Sequence, residues 1–448
     1  MTLGICLLVP ACASLSDISS TGPTVFGPSE TKVRALLALD RVQEALQVAG
    51  DLAEEFAGPG SDVVLGQALL RNGELIEAEA RFRRGADAGI GEGYLGLAVE
   101  SASSGDWQSA ATLARRALED PQLESRGHSL LASAAWRRGE REAMVAELAA
   151  WSQSEPVQRR AAVASAMAAA AADLTGEPLG WRGDPSLLEV TSLPRGGYVV
   201  VAQVANIEAH LLFDLSARQS SISSGLATAA GLKVESGLAS VAQDKRAGTD
   251  TPAASLSARQ AACPSLALGK SRLQNIIVAV DEPPPGADGI LAMDLLSTAR
   301  WSFRADGPAL ALGPAVSGRA VERLVTGPDR TVIAWLEAKL IYQGLALQLL
   351  LYPRVLGELI PAMIDLAGSS RLEAMRPGMV LGADPVIVPV RLGGWSGEVR
   401  WVPADLEGRA TGGGVAPAAM LGNNLLGGWT LHWLPDQQQL RLEAPQAP

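Results

Sequence analysis

The feature that most limits the fold is a helix-turn-helix pattern that recurs at an almost fixed period between about residues 31 and 174. The recurring turns lie at Asp40-Arg41, Asn72-Gly73, Gly105-Asp106 and Gly139-Glu140. Counted from Asp40 through Gly73 and Gly105 to Gly139, the spacings are 33, 32 and 34 residues. Because a unit of this length cannot bury its apolar face alone, the pattern predicts a stacked array of helix pairs.

The segments beside these turns are typical of one repeat family. Leu65–Leu70 and Tyr94–Ala98 supply first helices, and the alanine-rich Glu77–Phe82 and Ala110–Arg115 supply second helices. The pattern resembles the tetratricopeptide repeat, a unit of about 34 residues that packs small residues where its helices cross. The resemblance implies an α-helical solenoid over residues 31–175, whose concave face commonly takes a peptide or protein. A spacer without a ligand remains the alternative.

Composition excludes several classes of protein. The 448 residues predict about three domains. Mean hydropathy is +0.16, yet the chain contains no run of about 18 apolar residues, which excludes a polytopic membrane protein. The net charge is −11 and no block of Lys and Arg interrupts the acidic balance, so a nucleic-acid partner is not expected.

Cysteine and histidine are too scattered for a metal site or a disulfide framework. The residues are Cys6, Cys12 and Cys263, with His128, His210 and His432. None of them has the paired spacing of zinc or haem ligands. We therefore predict no metal and no cofactor.

Two short motifs in the helical region are predicted to be coincidental. Gly91–Gly96 has the glycine spacing of a dinucleotide-binding loop, but a helix precedes it where a strand is required. We predict an inter-helix turn there. Gly127–Leu131 begins like the nucleophile elbow of a serine hydrolase but lacks the closing glycine and lies on a predicted helix.

The N-terminus is typical of an export signal. Leu3–Ala13 is apolar but too short to span a bilayer, and Leu8–Cys12 resembles the bacterial lipoprotein signal. The resemblance implies a signal peptide over residues 1–11, a lipid anchor on Cys12, a flexible tether over 12–30 and a periplasmic, outer-membrane-anchored protein. No Lys or Arg precedes Lys32, and an unprocessed apolar N-terminus is the alternative.

After a Gly/Pro-rich linker at Gly176–Pro185, short β-branched runs replace the helical pattern. The strand His210–Phe213 leads into Asp214-Leu215-Ser216, a short helix follows, and Asp288–Leu296 comes about 75 residues after Asp214. These motifs resemble retropepsin-like aspartic proteases, in which a strand delivers Asp-Thr-Gly-Ala and a later Gly-Ile-Leu-Gly stretch crosses beside it. The resemblance implies an all-β lobe over residues 187–313.

Residues 331–443 repeat the same order of motifs, which predicts a second, degenerate lobe. Leu345–Leu351 is its strand, Leu359–Gly368 its predicted short helix and Ala419–Leu426 its late crossing. Aligning Gly231 with Gly368, the helix-closing glycines of the two units, puts Tyr352-Pro353-Arg354 about where the first unit has Asp214-Leu215-Ser216, so the second acid is missing. A second interpretation makes Asp365-Leu366-Ala367-Gly368 the active-site turn. The fold class is therefore multidomain α plus β, with two lobes expected to pair as a pseudo-dimer.

Resemblance to the aspartic proteases also implies how the site is altered. Those enzymes need two carboxylates that share a proton, so that one activates water while the other protonates the scissile carbonyl. Leu215 cannot donate the hydrogen bond of the usual Thr, Ser216 adds bulk where Gly is usual, and Ala292 replaces a glycine of the late crossing.

These observations predict a pseudoprotease that binds a peptide or protein partner at the cell envelope. An active aspartic endopeptidase, with Asp214 facing its counterpart in a second molecule, is one alternative. A structural envelope scaffold is the other.

Overall fold

The computed structural model describes most of the chain between Pro28 and Glu443. The described ranges are 28–39, 41–72, 74–103, 105–175, 180–193, 197–214, 217, 219–236, 259–304, 309–314, 332–333, 338–342, 345–349, 362–365, 386–392, 395–404, 419–420, 430–435 and 439–443. Within them, helices occupy the first part and strands the second, so the α plus β prediction is confirmed. No helix in these ranges has the length and apolarity needed to cross a membrane. The predicted signal segment and Cys12 lie outside them.

Nine α-helices form the described part of the helical array. They are α1 (Pro28–Ala38), α2 (Val42–Glu55), α3 (Pro59–Arg71), α4 (Leu75–Asp87), α5 (Gly91–Ser103), α6 (Trp107–Ala117), α7 (Glu124–Arg138), α8 (Arg141–Ser154) and α9 (Gln158–Asp173). Each helix packs on the next, and α1 also contacts α3, α3 contacts α5 and α5 contacts α7. The odd-numbered helices therefore share one layer, as in stacked helix pairs.

Small residues allow the helices to approach each other closely. A Cβ on Gly96 would lie 2.5 Å from the Phe82 ring, and one on Gly93 would lie 2.5 Å from the backbone nitrogen of Ala86. These contacts hold α5 against α4. The prediction of an inter-helix turn at Gly91–Gly96 is wrong: the segment forms the start of α5, and its glycines serve helix packing.

Local sequence signals end and begin the helices at the predicted turns. Gly139 follows α7 with φ of 71°, the left-handed conformation that glycine adopts without steric cost. The Asp106 carboxylate precedes α6 and accepts a hydrogen bond from the Ser109 backbone N–H at 3.0 Å.

We call the next group of elements lobe 1. Its strands are β1 (Trp181–Gly183), β2 (Ser186–Ser192), β3 (Tyr198–Val204), β4 (Ile207–Phe213), β5 (Ser221–Ile222), β6 (Val234–Ser236), β7 (Arg259–Leu268), β8 (Ser271–Val280), β9 (Gly289–Leu291), β10 (Ala299–Arg304) and β11 (Ala309–Pro314). Its short helices are α10 (Ser224–Ala229) and α11 (Met293–Leu296). Two hairpins, β3–β4 and β7–β8, are joined by antiparallel pairing of β3 with β7. Strand β5 runs parallel to β8 and antiparallel to β9, and β9 runs parallel to β4.

The remaining elements form lobe 2. Its strands are β12 (Val332–Ile333), β13 (Ala338–Tyr342), β14 (Leu345–Leu349), β15 (Ala362–Asp365), β16 (Val386–Leu392), β17 (Trp395–Ala404), β18 (Ala419–Met420), β19 (Thr430–Leu434) and β20 (Gln439–Glu443). The hairpins β13–β14 and β16–β17 are joined by antiparallel pairing of β13 with β16. Strand β15 runs parallel to β17 and antiparallel to β18. These pairings match those of lobe 1 in order and direction.

One predicted element of lobe 2 is wrong. Leu359–Gly368 was expected to contain a short helix, but Ala362–Asp365 is strand β15. Because β15 is paired on both sides, by β17 and β18, its backbone groups form sheet hydrogen bonds rather than helical ones. Tertiary pairing thus overrides the local pattern.

The two lobes are joined by one continuous sheet. Strand β10 of lobe 1 pairs antiparallel with β19 of lobe 2, with Trp301 opposite Trp433 and Ser302 opposite His432. The Ser302 hydroxyl and the His432 Nδ1 are 2.7 Å apart and buried. Strand β11 pairs with β10 and β20 pairs with β19; next in the sheet, β2 pairs with β11 and β12 pairs with β20.

The hydrophobic core of lobe 1 extends into lobe 2. Leu431 and Trp433 of β19 belong to the same buried cluster as the lobe 1 strands. Phe213 packs edge-on against Trp301, with ring centroids 5.5 Å apart, and stacks on Phe303 at 5.2 Å. The residue before Asp214 is therefore fixed against the strand that joins the lobes.

The helical array packs directly on lobe 1. Helix α9 contacts β6, β7 and β8. Ile277 of β8 is buried in a cluster with Ala132 of α7 and with Met144, Leu148 and Trp151 of α8. This apolar contact holds the end of the array against one face of the sheet.

A buried carboxyl in the array makes stability depend on pH. Burial raises the pKa of Glu100 on α5 to about 8, with Glu79 adding to the shift and Arg83 opposing it. Neither Glu100 side-chain oxygen has a hydrogen-bond partner. In the unfolded chain the pKa returns to its ordinary value near 4.5. The folded state therefore binds more protons, and stability falls as pH rises between these two values.

We predict that Glu100→Gln removes most of this loss. Thermal unfolding followed by circular dichroism between about pH 5 and pH 8 should show a smaller decline in melting temperature for Glu100→Gln than for the unmodified protein. Glu119→Gln is the control because Glu119 is 69% exposed. Equal declines in the unmodified protein and Glu100→Gln would contradict the prediction.

Candidate functional site at the end of strand β4

Asp214 lies immediately after β4, where the first unit was predicted to carry its acid. Its backbone N–H donates to the Leu291 carbonyl at 3.1 Å, which continues the parallel pairing of β4 with β9. The residue is only 6% exposed. Leu215 and Ser216, the altered motif positions, lie outside the described residues. The two motifs that suggested this site from the sequence are therefore adjacent in space.

Strands β4 and β9, which carry these motifs, are also held together through Asp288. The His210 backbone N–H donates to Asp288 Oδ2 at 2.8 Å, and the Asp288 N–H donates to the His210 carbonyl at 2.7 Å. The Asp288 carbonyl accepts from the Ser223 N–H at 2.7 Å. Asp288 thus joins β4, β9 and the start of α10.

Ser220, six residues after Asp214 in the sequence, is held by a second acid. The Ser220 backbone N–H donates to Asp294 Oδ2 at 3.0 Å, and its hydroxyl donates to Asp294 Oδ1 at 2.6 Å. The Leu295 N–H also donates to Oδ1, at 2.9 Å. The Ser220 hydroxyl oxygen accepts from the Ala292 N–H at 2.9 Å. Asp294 therefore fixes Ser220 to the late crossing, which is β9 and the residues Ala292–Leu296 that follow it.

Burial and these donors act on Asp294 in opposite directions. Burial raises the pKa of Asp294, whereas the hydrogen bonds from Ser220 and Leu295 and the charge of Arg137 oppose the rise. Arg137 lies on α7, in the helical array, and its Nη1 donates to the Ser297 hydroxyl at 2.5 Å. Sequence reasoning assigned no role to either residue. Asp294 stands next to the crossing motif, but no local pattern links it to Arg137.

The hairpin registers of the two lobes identify which residue of lobe 2 corresponds to each site residue of lobe 1. The innermost hairpin pairs are Val204 with Ile207 in lobe 1 and Tyr342 with Leu345 in lobe 2. Ile207 therefore corresponds to Leu345, a difference of 138 positions. Asp214 is seven residues after Ile207, and Tyr352 is seven residues after Leu345. Tyr352 itself lies outside the described residues.

The second interpretation, with Asp365 as the active-site acid, does not fit the sheet. Ser221 pairs with Ile290 and Met363 pairs with Met420, so β15 corresponds to β5 and not to β4. Asp365 thus corresponds to Ser223, which caps α10 by accepting from the Leu226 N–H at 3.1 Å. The difference here is 142 positions, so the connection before β15 is four residues longer in lobe 2.

The histidines have partners in three separate places. His128 contacts Glu147 at 2.7 Å, His210 lies beside Asp288 at 3.5 Å, and His432 contacts Ser302. Over the described ranges, no three His, Cys, Asp or Glu residues form a group that could hold a metal ion. Cys263 is buried within lobe 1, and burial raises the pKa of its thiol to about 11.

Comparisons with known proteins give limited similarity. No protein-family model matches the chain. No curated protein matches it either. Among solved structures, a retropepsin-like aspartic protease from Rickettsia conorii is 20% identical, with a TM-score of 0.21, and the match covers 30% of this chain and 95% of that one. Conglutin gamma, a basic 7S globulin from lupine seeds, is 8% identical, with a TM-score of 0.36, over 59% of this chain and 95% of the globulin.

We predict that Gly289→Ala disturbs the site. A Cβ on Gly289 would lie 2.2 Å from the Ser221 carbonyl oxygen, so β5 and β9 would have to separate. We expect a loss of about 1–3 kcal/mol in the free energy of unfolding, measured by urea denaturation. The matched control is Gly225→Ala in α10, where the nearest atom, Ser223 Oγ, is 3.9 Å away. Equal stability of the two variants would contradict the prediction.

Proposed function

We propose that this protein is an exported pseudoprotease: two retropepsin-like lobes paired within one chain, preceded by tetratricopeptide-like repeats, that bind a peptide or protein partner at the cell envelope. The observation that carries the proposal is the register of the two lobes. It supports a duplicated unit with Asp214 at the site position of lobe 1 and Tyr352 at the matching position of lobe 2.

The missing acid decides the chemistry. In an aspartic protease one carboxylate acts as a base toward water while the other carries the proton that the scissile carbonyl receives. A tyrosine hydroxyl, with a pKa near 10, is a poor substitute for either group at acidic or neutral pH. Leu215 and Ser216 further alter the turn. A site with Asp214 alone is therefore suited to binding and not to cleavage.

The pairing of β10 with β19 supports an intramolecular pseudo-dimer. These strands correspond in the two lobes, and Ser302 lies opposite His432 at the middle of the shared sheet. An active homodimer would have to present the same edge of lobe 1 to a second molecule. In this chain that edge is occupied by lobe 2, which weighs against the endopeptidase alternative.

The helical array offers a second docking surface. Its odd-numbered helices contact one another and so share one layer, and in repeat arrays of this kind such a layer commonly takes a peptide or protein. Arg34 of α1 makes a bidentate ion pair with Glu92 of α5, at 2.7 and 2.5 Å, and Gln67 of α3 donates to the same carboxylate at 3.4 Å. These polar groups are largely buried and pair with one another, so they hold the layer together. Export and lipid anchoring at Cys12 rest on the sequence of the N-terminal segment.

We predict that the purified protein shows no pepstatin-sensitive cleavage of unfolded substrates between about pH 3 and pH 7, a range that brackets ordinary carboxylate pKa values. Asp214→Asn removes the acid with almost no change of shape. It should leave binding of partner peptides, measured on a peptide array, largely intact.

The endopeptidase alternative predicts the opposite. Removing a catalytic carboxylate commonly lowers the rate by several orders of magnitude. Cleavage that disappears in Asp214→Asn would therefore overturn the proposal. A dependence of that cleavage on protein concentration would further show that two molecules assemble the site.

A further inference from the structure

The last turn of α7 inserts an arginine into the contact between the helical array and lobe 1. Arg137 is partly buried, and its Nη1 donates to the Ser297 hydroxyl at 2.5 Å, just beyond α11. Its guanidinium also lies over the Trp107 ring of α6, 5.6 Å from the centroid. The array thus delivers a cation into lobe 1, held from both sides.

The Arg137 guanidinium lies near Asp294, the acid that holds Ser220. Arg137 and Asp294 line one cavity of about 30 Å³, together with Gln219 and with Ser133 of α7. The charge of each acts on the other: Asp294 raises the pKa of Arg137, which burial lowers to about 10, and Arg137 lowers that of Asp294. Arg137 therefore stays charged at neutral pH while facing a buried carboxyl.

A buried carboxylate needs a compensating charge or donors, because removal from water penalises its charged form. Asp294 accepts hydrogen bonds from Ser220 and Leu295, and Arg137 supplies the positive charge. If that charge were lost, the balance of Asp294 would shift further toward its protonated form. A protonated Asp294 carries a hydrogen on one oxygen, which weakens that oxygen as an acceptor for the Ser220 or Leu295 N–H.

We infer that Arg137 is a positioning residue for Asp214. It acts through Asp294 and Ser220. The Ser220 hydroxyl accepts from the Ala292 N–H, next to the Leu291 carbonyl that accepts from Asp214, so the helical array sets the geometry of the lobe 1 site. This inference goes beyond the proposed function, since it holds whether the site cleaves or only binds.

Hydrogen–deuterium exchange on the full chain tests the inference. We expect Arg137→Met to speed hydrogen exchange in peptides that span residues 214–222 by about tenfold. The Ser220 and Asp214 N–H groups lose protection when their hydrogen bonds to Asp294 and Leu291 open locally. Arg138→Met is the matched control. Arg138 is adjacent on α7 but bonds to Gln108 and Glu140 within the array. Arg138→Met should leave hydrogen exchange in peptides that span residues 214–222 unchanged.

A double-mutant comparison tests whether Arg137 acts through its charge on Asp294 or only through packing. Asp294→Asn removes the charge that Arg137 compensates, so Arg137→Met should have little additional effect in the Asp294→Asn background. An equal increase in exchange in both backgrounds, or no increase in Arg137→Met alone, would overturn the inference. If Arg137→Met does not fold, the double variant should fold, and a double variant that also fails would equally overturn it. None of these outcomes bears on cleavage, so the proposed function stands or fails separately.

Discussion

The antiparallel pairing of β10 with β19 is the interaction on which the rest of the β-rich half depends. It joins the strands of lobe 1 in one sheet with β12, β19 and β20 of lobe 2, and it buries the Ser302–His432 contact. Through the stacking of Phe303 on Phe213, it also fixes the residue that precedes Asp214. The proposed site between the two lobes requires that this edge of lobe 1 is paired within the chain.

Polar groups then connect the site to the rest of the molecule. Buried Asp294 holds Ser220 to the late crossing, and Arg137 brings a charge from the helical array to the same place. Asp288, which is about half exposed, joins β4 to β9. Because Asp294 is buried, its hydrogen bonds from the Ser220 and Leu295 N–H groups cannot easily be exchanged for water.

Sequence reasoning located the elements well where the signal was local. The turns at Gly105 and Gly139, the strand before Asp214 and the late crossing at Gly289–Leu291 all follow from turn residues and apolar periodicity. The prediction failed at Leu359–Gly368, because an isolated apolar run fits a helix as well as a strand until its sheet partners are known.

Contacts between distant residues were beyond the sequence for a different reason. Arg137 and Asp294 are 157 positions apart, and neither position carries a pattern that names its partner. The pairing of Ser302 with His432 likewise depends on how two lobes meet.

The central claim is that Tyr352 occupies the position across from Asp214. Chemical crosslinking tests it most directly: cysteines replace Asp214 and Tyr352, a short thiol-reactive crosslinker is added, and mass spectrometry identifies the linked peptides. Our account predicts a link between positions 214 and 352 within one chain, and no link in a matched Asp214→Cys, Asp365→Cys variant. A crosslink from position 214 to 365, or to position 214 of a second molecule, would contradict it.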